Sequence, residues 1–185
     1  MGRYEARDLV RIPGLLSLSR IPLAAAFALA VHEPTTAFAV LLAAGITDIA
    51  DGWYARTFHQ VTPTGAALDG VTDKLFVATV AVTLVATGHL APWSVALLGT
   101  REIGELPLVL WVALSRRARR ARSEQATANA IGKVATALQF VAVTAALFHA
   151  PYARGWVVAT AVAGAAAAFS YWRRAFRIVA VREAT

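Results

Sequence analysis

The sequence predicts an all-α integral membrane protein with six transmembrane helices and both termini in the cytoplasm. Three observations carry that expectation. First, 58% of the 185 residues are hydrophobic and only 16% are charged, with a mean hydropathy of +0.57, whereas soluble domains hold about 45–50% apolar residues. Second, the apolar residues gather into six runs, each close to the roughly 20 residues an α-helix needs to cross a bilayer. Third, basic residues are dense in alternate connections and sparse in the others, the asymmetry by which cytoplasmic loops are recognised.

The first run, Pro13–Val31, follows Arg3, Arg7 and Arg11 and contains no small-residue cleavage site, so it reads as a spanning helix rather than a removable leader. Residues Tyr4–Ile12 just before it are expected to form a short amphipathic helix on the cytoplasmic surface. The second and third runs, Thr36–Tyr54 and Gly65–Thr87, enclose a connection that carries Arg56. The fourth, Pro92–Ser115, leads into Arg116, Arg117, Arg119, Arg120 and Arg122, read as a topology anchor that touches anionic headgroups. The fifth is Ile131–Ala150, and the sixth, Gly155–Trp172, precedes Arg173, Arg174, Arg177 and Arg182. Around His32–Thr35 and Gly88–Ala91 there is no Lys or Arg, and the loop at Pro151 has only Arg154. Small residues over Ala159–Ala168 indicate close helix packing. The length suits a single domain over residues 1–185.

Composition also excludes functions. Without cysteine there are no disulfides, thiolate metal sites or thiol nucleophiles. The net charge of +7 would suit a nucleic acid partner, but the basic residues flank apolar runs, so the partner is the bilayer and not nucleic acid.

Chemistry is concentrated in the aspartates. Four of the five, Asp48, Asp51, Asp69 and Asp73, lie within the second and third runs, although a carboxylate in hydrocarbon costs roughly 2.5–3.5 kcal/mol on insertion scales. Asp48 and Asp51 are three residues apart and Asp69 and Asp73 four apart, so each pair shares a helix face. The turn containing Pro63 and Gly65 is expected to make the two helices antiparallel neighbours, bringing all four carboxylates around one point. Hard oxygen ligands favour magnesium, manganese or calcium, and two ions could be held in this way. Nearby cations are counted as Arg56 and Lys74, too few to neutralise four acids. Arg20, well inside the first run, either pairs with an acid of the cluster or snorkels. Gly52 and Gly65 clear space beside the acids for a phosphate, and Arg56 can pair with its oxygens.

Written out, the string is D-x2-D-G-x2-A-R-x8-G-x3-D-x3-D, filled by Asp48, Asp51, Gly52, Ala55, Arg56, Gly65, Asp69 and Asp73. It resembles the signature of the CDP-alcohol phosphotransferases at every position. The first helix, IPGLLSLSRIPL, and the later segment GKVATALQ are similar to the matching helices of that family, the latter and the Arg101–Glu102 pair to its phosphatidylglycerolphosphate and cardiolipin synthase branches. The resemblance implies a homodimer of six-helix chains in the cytoplasmic membrane, with the site facing the cytoplasm. It implies magnesium or manganese, two ions, held by Asp48, Asp51, Asp69 and Asp73, with Asp73 also the general base. Gly52, Ala55, Arg56, Gly65 and Ser17 would bind the CDP-linked lipid. An alcohol would attack the lipid-side phosphorus of CDP-diacylglycerol and CMP would leave.

The acceptor is expected to bear a phosphate. Arg101 and Lys133, within apolar runs, with Arg119 and Arg122 above them, are the candidates to bind it. The other reading of Arg101 is a structural pair with Glu105. Glycerol 3-phosphate as acceptor would give phosphatidylglycerol phosphate, and phosphatidylglycerol would give cardiolipin. A cation transporter is the alternative outside enzymes, although it leaves Arg56 without a purpose.

Overall fold

The computed structural model describes residues 12–58, 60, 62–114 and 130–183. Among them there are seven helices and no strand: α1 (Ile12–Ala30), α2 (Pro34–Thr57), α3 (Pro63–Ala86), α4 (Trp93–Leu98), α5 (Thr100–Leu114), α6 (Ala130–Leu147) and α7 (Ala153–Glu183). Three helical segments are long and apolar enough to cross a membrane, Ile12–Ala30, Pro34–Thr57 and Ala153–Phe176, and Ile131–Leu147 is a shorter apolar helix. The proposed surface helix at Tyr4–Ile12 lies, but for its last residue, outside the described residues. The chain divides after His89 into two compact units.

In the first unit, α1 is the central element. Gly14, Ser17, Arg20, Ala24 and Phe27 are its buried residues. Their spacing of three and four lays them along one stripe. The sequence reading brings α2 and α3 face to face across their turn. Instead α1 packs against each of them, and among the described residues α2 and α3 barely touch. Ala37, Leu41 and Ala44 form the buried stripe of α2, which Asp48 and Asp51 continue. On α3, Thr72, Phe76, Val80 and Leu84 are buried, and Asp69 precedes them on the same stripe.

The connection between α2 and α3 is tightly bonded. The Phe58 N–H donates to the Tyr54 carbonyl, and its ring packs on Tyr54 with centroids 4.4 Å apart. Thr62 caps α3 by accepting the Gly65 N–H at 3.0 Å. Proline follows at the first helical position, where its missing N–H is no loss. All three acids that converge below therefore lie toward this one end of the unit.

In the second unit, α7 is the central element and packs on α4, α5 and α6. Glycines allow the approach. A Cβ at Gly104 would lie 2.6 Å from that of Ala168, and one at Gly132 would lie 2.5 Å from the Tyr171 hydroxyl. Gly164 and Ala167 are buried in the small-residue stretch of α7. The fourth apolar run is not one helix, because it breaks at Gly99 into α4 and α5. The break leaves Leu98 with a carbonyl that accepts the Gln139 side-chain amide at 3.3 Å. The sixth run continues as helix beyond Trp172 to Glu183. Trp172 donates its indole N–H to the Gly104 carbonyl at 2.9 Å, and its ring packs on Phe176, as does that of Trp111.

Candidate functional site

Arg20 stands in the middle of the apolar face of α1 and is only 1% exposed. Its guanidinium reaches three carboxylates on two other helices. Nη1 donates to Asp69 Oδ1 at 2.6 Å, and Nη2 donates to Asp48 Oδ1 at 2.6 Å and to Asp51 Oδ2 at 2.8 Å. Ser17, one turn earlier on α1, donates to Asp51 Oδ2 at 3.1 Å. Asp51 is thereby fixed from α1 by two donors and is buried, its side chain 5% exposed. The Asp48 and Asp69 side chains are 53% and 45% exposed.

The three carboxylates each place an oxygen within 4.8 Å of the others. That spacing and the all-oxygen donor set fit a hard divalent cation that takes carboxylates and retains water. One guanidinium opposes three carboxylates, so negative charge remains for a cation to neutralise. The residues present therefore fit the metal the motif implies.

The other residues of the motif are placed as follows. Asp73 lies one turn beyond Asp69 on α3, half-buried and outside the group of three. The Arg56 guanidinium folds back over Gly52, where a Cβ would meet Nη1 at 3.3 Å. Gly52 thus makes room for Arg56 itself. At Gly65 a Cβ would meet the Thr62 hydroxyl at 3.1 Å, so this glycine serves the cap of α3. Ala55 is half-buried on α2. Ser17 faces Asp51 from within the packed face of α1.

In the second unit, Arg101 donates to Glu102 Oε1 from Nη2 at 2.5 Å and from Nε at 3.0 Å. Its Nη1 donates to the Thr136 hydroxyl at 2.6 Å and to the Gly132 carbonyl at 3.3 Å, tying α5 to α6. Glu105, the pairing partner expected from spacing, is 4.0 Å away. Lys133 is exposed on α6. Arg119 and Arg122 lie outside the described residues.

Sequence reasoning counted Arg56 and Lys74 as the cations near the acids and left the part of Arg20 open. The signal was present: Gly14, Ser17, Arg20, Ala24 and Phe27 follow a helical period, and an arginine on such a stripe faces the interior, where it must be paired.

A sequence model described as CDP-alcohol phosphatidyltransferase matches residues 10–172. The chain belongs to the CDP-alcohol phosphatidyltransferase family, a family of membrane enzymes. It is similar to the CDP-diacylglycerol--glycerol-3-phosphate 3-phosphatidyltransferase of Escherichia coli (strain K12), with 38% identity over 141 residues, covering 71% of this chain and 73% of that protein. The Bacillus subtilis (strain 168) protein of the same name is 34% identical over 110 residues, 60% of this chain and 53% of its own length. A protein of Mycobacterium tuberculosis (strain ATCC 25618 / H37Rv) named "Putative cardiolipin synthase" is 37% identical over 106 residues, 54% of this chain and 50% of that one. The chain spans about half the length of these last two relatives.

Proposed function

We propose that this protein is a metal-dependent phosphatidyltransferase that moves the phosphatidyl group of CDP-diacylglycerol onto glycerol 3-phosphate and releases CMP. The observation that carries the reading is the convergence of Asp48, Asp51 and Asp69 from two helices onto one point, within the family's motif. A divalent ion held there would neutralise the pyrophosphate and stabilise the departing phosphate. Asp48, Asp51 and Asp69 would hold the ion, and Asp73 would help to bind a second. Asp73 takes the proton from the acceptor hydroxyl as its oxygen bonds to the lipid-side phosphorus. The bond from that phosphorus to the bridging oxygen breaks, and CMP carries the oxygen away. Arg56, Gly52, Ala55 and Gly65 bind the CDP-linked lipid, the Arg56 guanidinium pairing with phosphate oxygens, and Ser17 acts on it only through Asp51, which it braces. Arg101 and Lys133, with Arg119 and Arg122, bind the phosphate of the acceptor.

In this reading residues 1–185 form one domain, supported by a family match that runs through both compact units. The chain crosses the cytoplasmic membrane six times as a homodimer, with both termini and the active site on the cytoplasmic side, where Arg3, Arg7, Arg11, Arg173 and Arg174 flank the spans. Membership of a transferase family favours this over a cation transporter.

The second reading, cardiolipin synthesis with phosphatidylglycerol as acceptor, draws on the name of the Mycobacterium relative. A screen decides between them. Purified protein is given magnesium or manganese, CDP-diacylglycerol and one acceptor at a time, and CMP is measured. Release with glycerol 3-phosphate supports the leading reading. Release only with phosphatidylglycerol supports the second. No CMP with any alcohol, together with metal flux in liposomes, would return the transporter.

A further inference from the structure

We propose that Arg20 is a built-in counter-ion that competes with the metal: its guanidinium holds the metal-free site together and releases Asp48 and Asp69, but not Asp51, when a divalent cation enters. This rests on the reading of the three carboxylates as a metal site.

The asymmetry of burial carries the inference. Arg20 and Asp51 are both closed to solvent, and Ser17 holds Asp51 from the same helix. Separating that pair would strand two charges in the interior, which is strongly unfavourable. Asp48 and Asp69 are about half exposed, so water or a cation can replace the guanidinium at either one. The three carboxylates that Arg20 bonds are the same three that each bring an oxygen within 4.8 Å of the others. A divalent ion and the guanidinium therefore contend for the same place, and their like charges repel at short range.

A planar guanidinium can serve three carboxylates at once because its donors are fixed in a fork. Arg20 does so with both Nη atoms, while among the described residues its buried Nε has no hydrogen-bond partner. The Arg20 bonds thus keep the carboxylates close together at the expense of one donor unmet among the described residues. A site built in this way stays assembled without metal and binds it less tightly than three carboxylates alone.

The test is an electron paramagnetic resonance titration of the full-length protein in detergent with Mn2+, on wild type, Arg20→Met and Arg20→Lys. The thermal midpoint is measured in parallel, in chelator and in saturating Mn2+. Arg20→Met is expected to bind Mn2+ at least about tenfold more tightly, since one short-range repulsion is gone. Its midpoint falls in chelator, and Mn2+ raises it more than in wild type. Arg20→Lys keeps one charge without the fork and falls between the two. Equal or weaker binding by the substituted proteins overturns the proposal. Should Arg20→Met fail to fold without metal, Arg20→Lys carries the comparison. The wild type adds a measurement that needs no variant: in a Mn2+-loaded structure Arg20 keeps Asp51 and leaves Asp48 and Asp69, and retention of all three bonds overturns the proposal. Wild-type protein that binds no Mn2+ would sink the metal-site reading itself, whereas tight binding indifferent to residue 20 would sink only the role of Arg20.

Discussion

Arg20 Nη2 donates to Asp51 Oδ2 across 2.8 Å, joining an α1 side chain that is 1% exposed to an α2 side chain that is 5% exposed. This pair is the interior half of the acidic site. Asp48 and Asp69 form the half that is open to the outside, and Ser17 braces the buried carboxylate.

Asp51→Asn should therefore harm both stability and catalysis. In the proposed role it removes a metal ligand, and it leaves Arg20 with only the two half-exposed acids. CMP release is expected to fall by at least about a hundredfold. Stability is expected to fall by about 1–3 kcal/mol, the range for a disrupted buried charge-assisted hydrogen bond. Initial rates and thermal midpoints of the same preparation measure both. An active, equally stable variant would remove Asp51 from the site.

Asp73→Asn separates chemistry from assembly. Asp73 lies outside the group of three carboxylates, so Mn2+ binding to that group and the thermal midpoint should largely persist. Turnover should fall by about 10²–10⁴-fold, the contribution of a general base. Wild-type rates in this variant would take Asp73 out of the mechanism.

Ser17→Ala removes the second donor to Asp51 at 3.1 Å and no charge. Loss of an outer-shell partner typically weakens a metal site by about 10–100-fold. The prediction is a matching rise in the Mn2+ dissociation constant with little change in the Michaelis constant for CDP-diacylglycerol. If the lipid constant alone rises, Ser17 contacts the nucleotide lipid instead.

How much of this was legible beforehand depends on the kind of interaction. Apolar runs of sufficient length mark helices because the backbone must bond to itself in hydrocarbon, and the helices stand where the runs are. The break at Gly99 was not legible, since a run of apolar residues is the same string whether or not the backbone bends. Helical spacing pairs Asp48 with Asp51 and Asp69 with Asp73, and the turn at Pro63 and Gly65 led to the expectation of all four around one point, of which Asp48, Asp51 and Asp69 converge and Asp73 lies outside. That they meet through α1, and around Arg20, is a tertiary fact: an arginine in an apolar run announces that it needs a partner but does not say which. Arg101 makes the same point. Its spacing indicates Glu105, which it meets as an ion pair at 4.0 Å, but not the hydrogen bonds to Glu102, to Thr136 and to the Gly132 carbonyl on α6.

Arg101→Ala tests the acceptor. In the proposed role it raises the Michaelis constant for glycerol 3-phosphate more than that for CDP-diacylglycerol. Because Arg101 also ties α5 to α6, the thermal midpoint must be followed with the kinetics. Equal effects on both substrates would assign Arg101 to structure.

Helix contact in the second unit should be sensitive at Gly104, with Gly45 in the first unit as the control. Gly104→Ala would place its Cβ 2.6 Å from that of Ala168, and overpacking of this kind costs about 1–3 kcal/mol. Gly45→Ala on α2 meets nothing within 4 Å and should be neutral or stabilising by up to about 1 kcal/mol. Thermal midpoints of the two variants in one detergent compare them, and equal destabilisation would refute the packing assignment.

The most direct measurement on the central claim is anomalous diffraction from crystals soaked in Mn2+. The account predicts a peak within about 2.0–2.6 Å of carboxylate oxygens of Asp48, Asp51 and Asp69. Density free of any such peak, or a peak held by other residues, would contradict it.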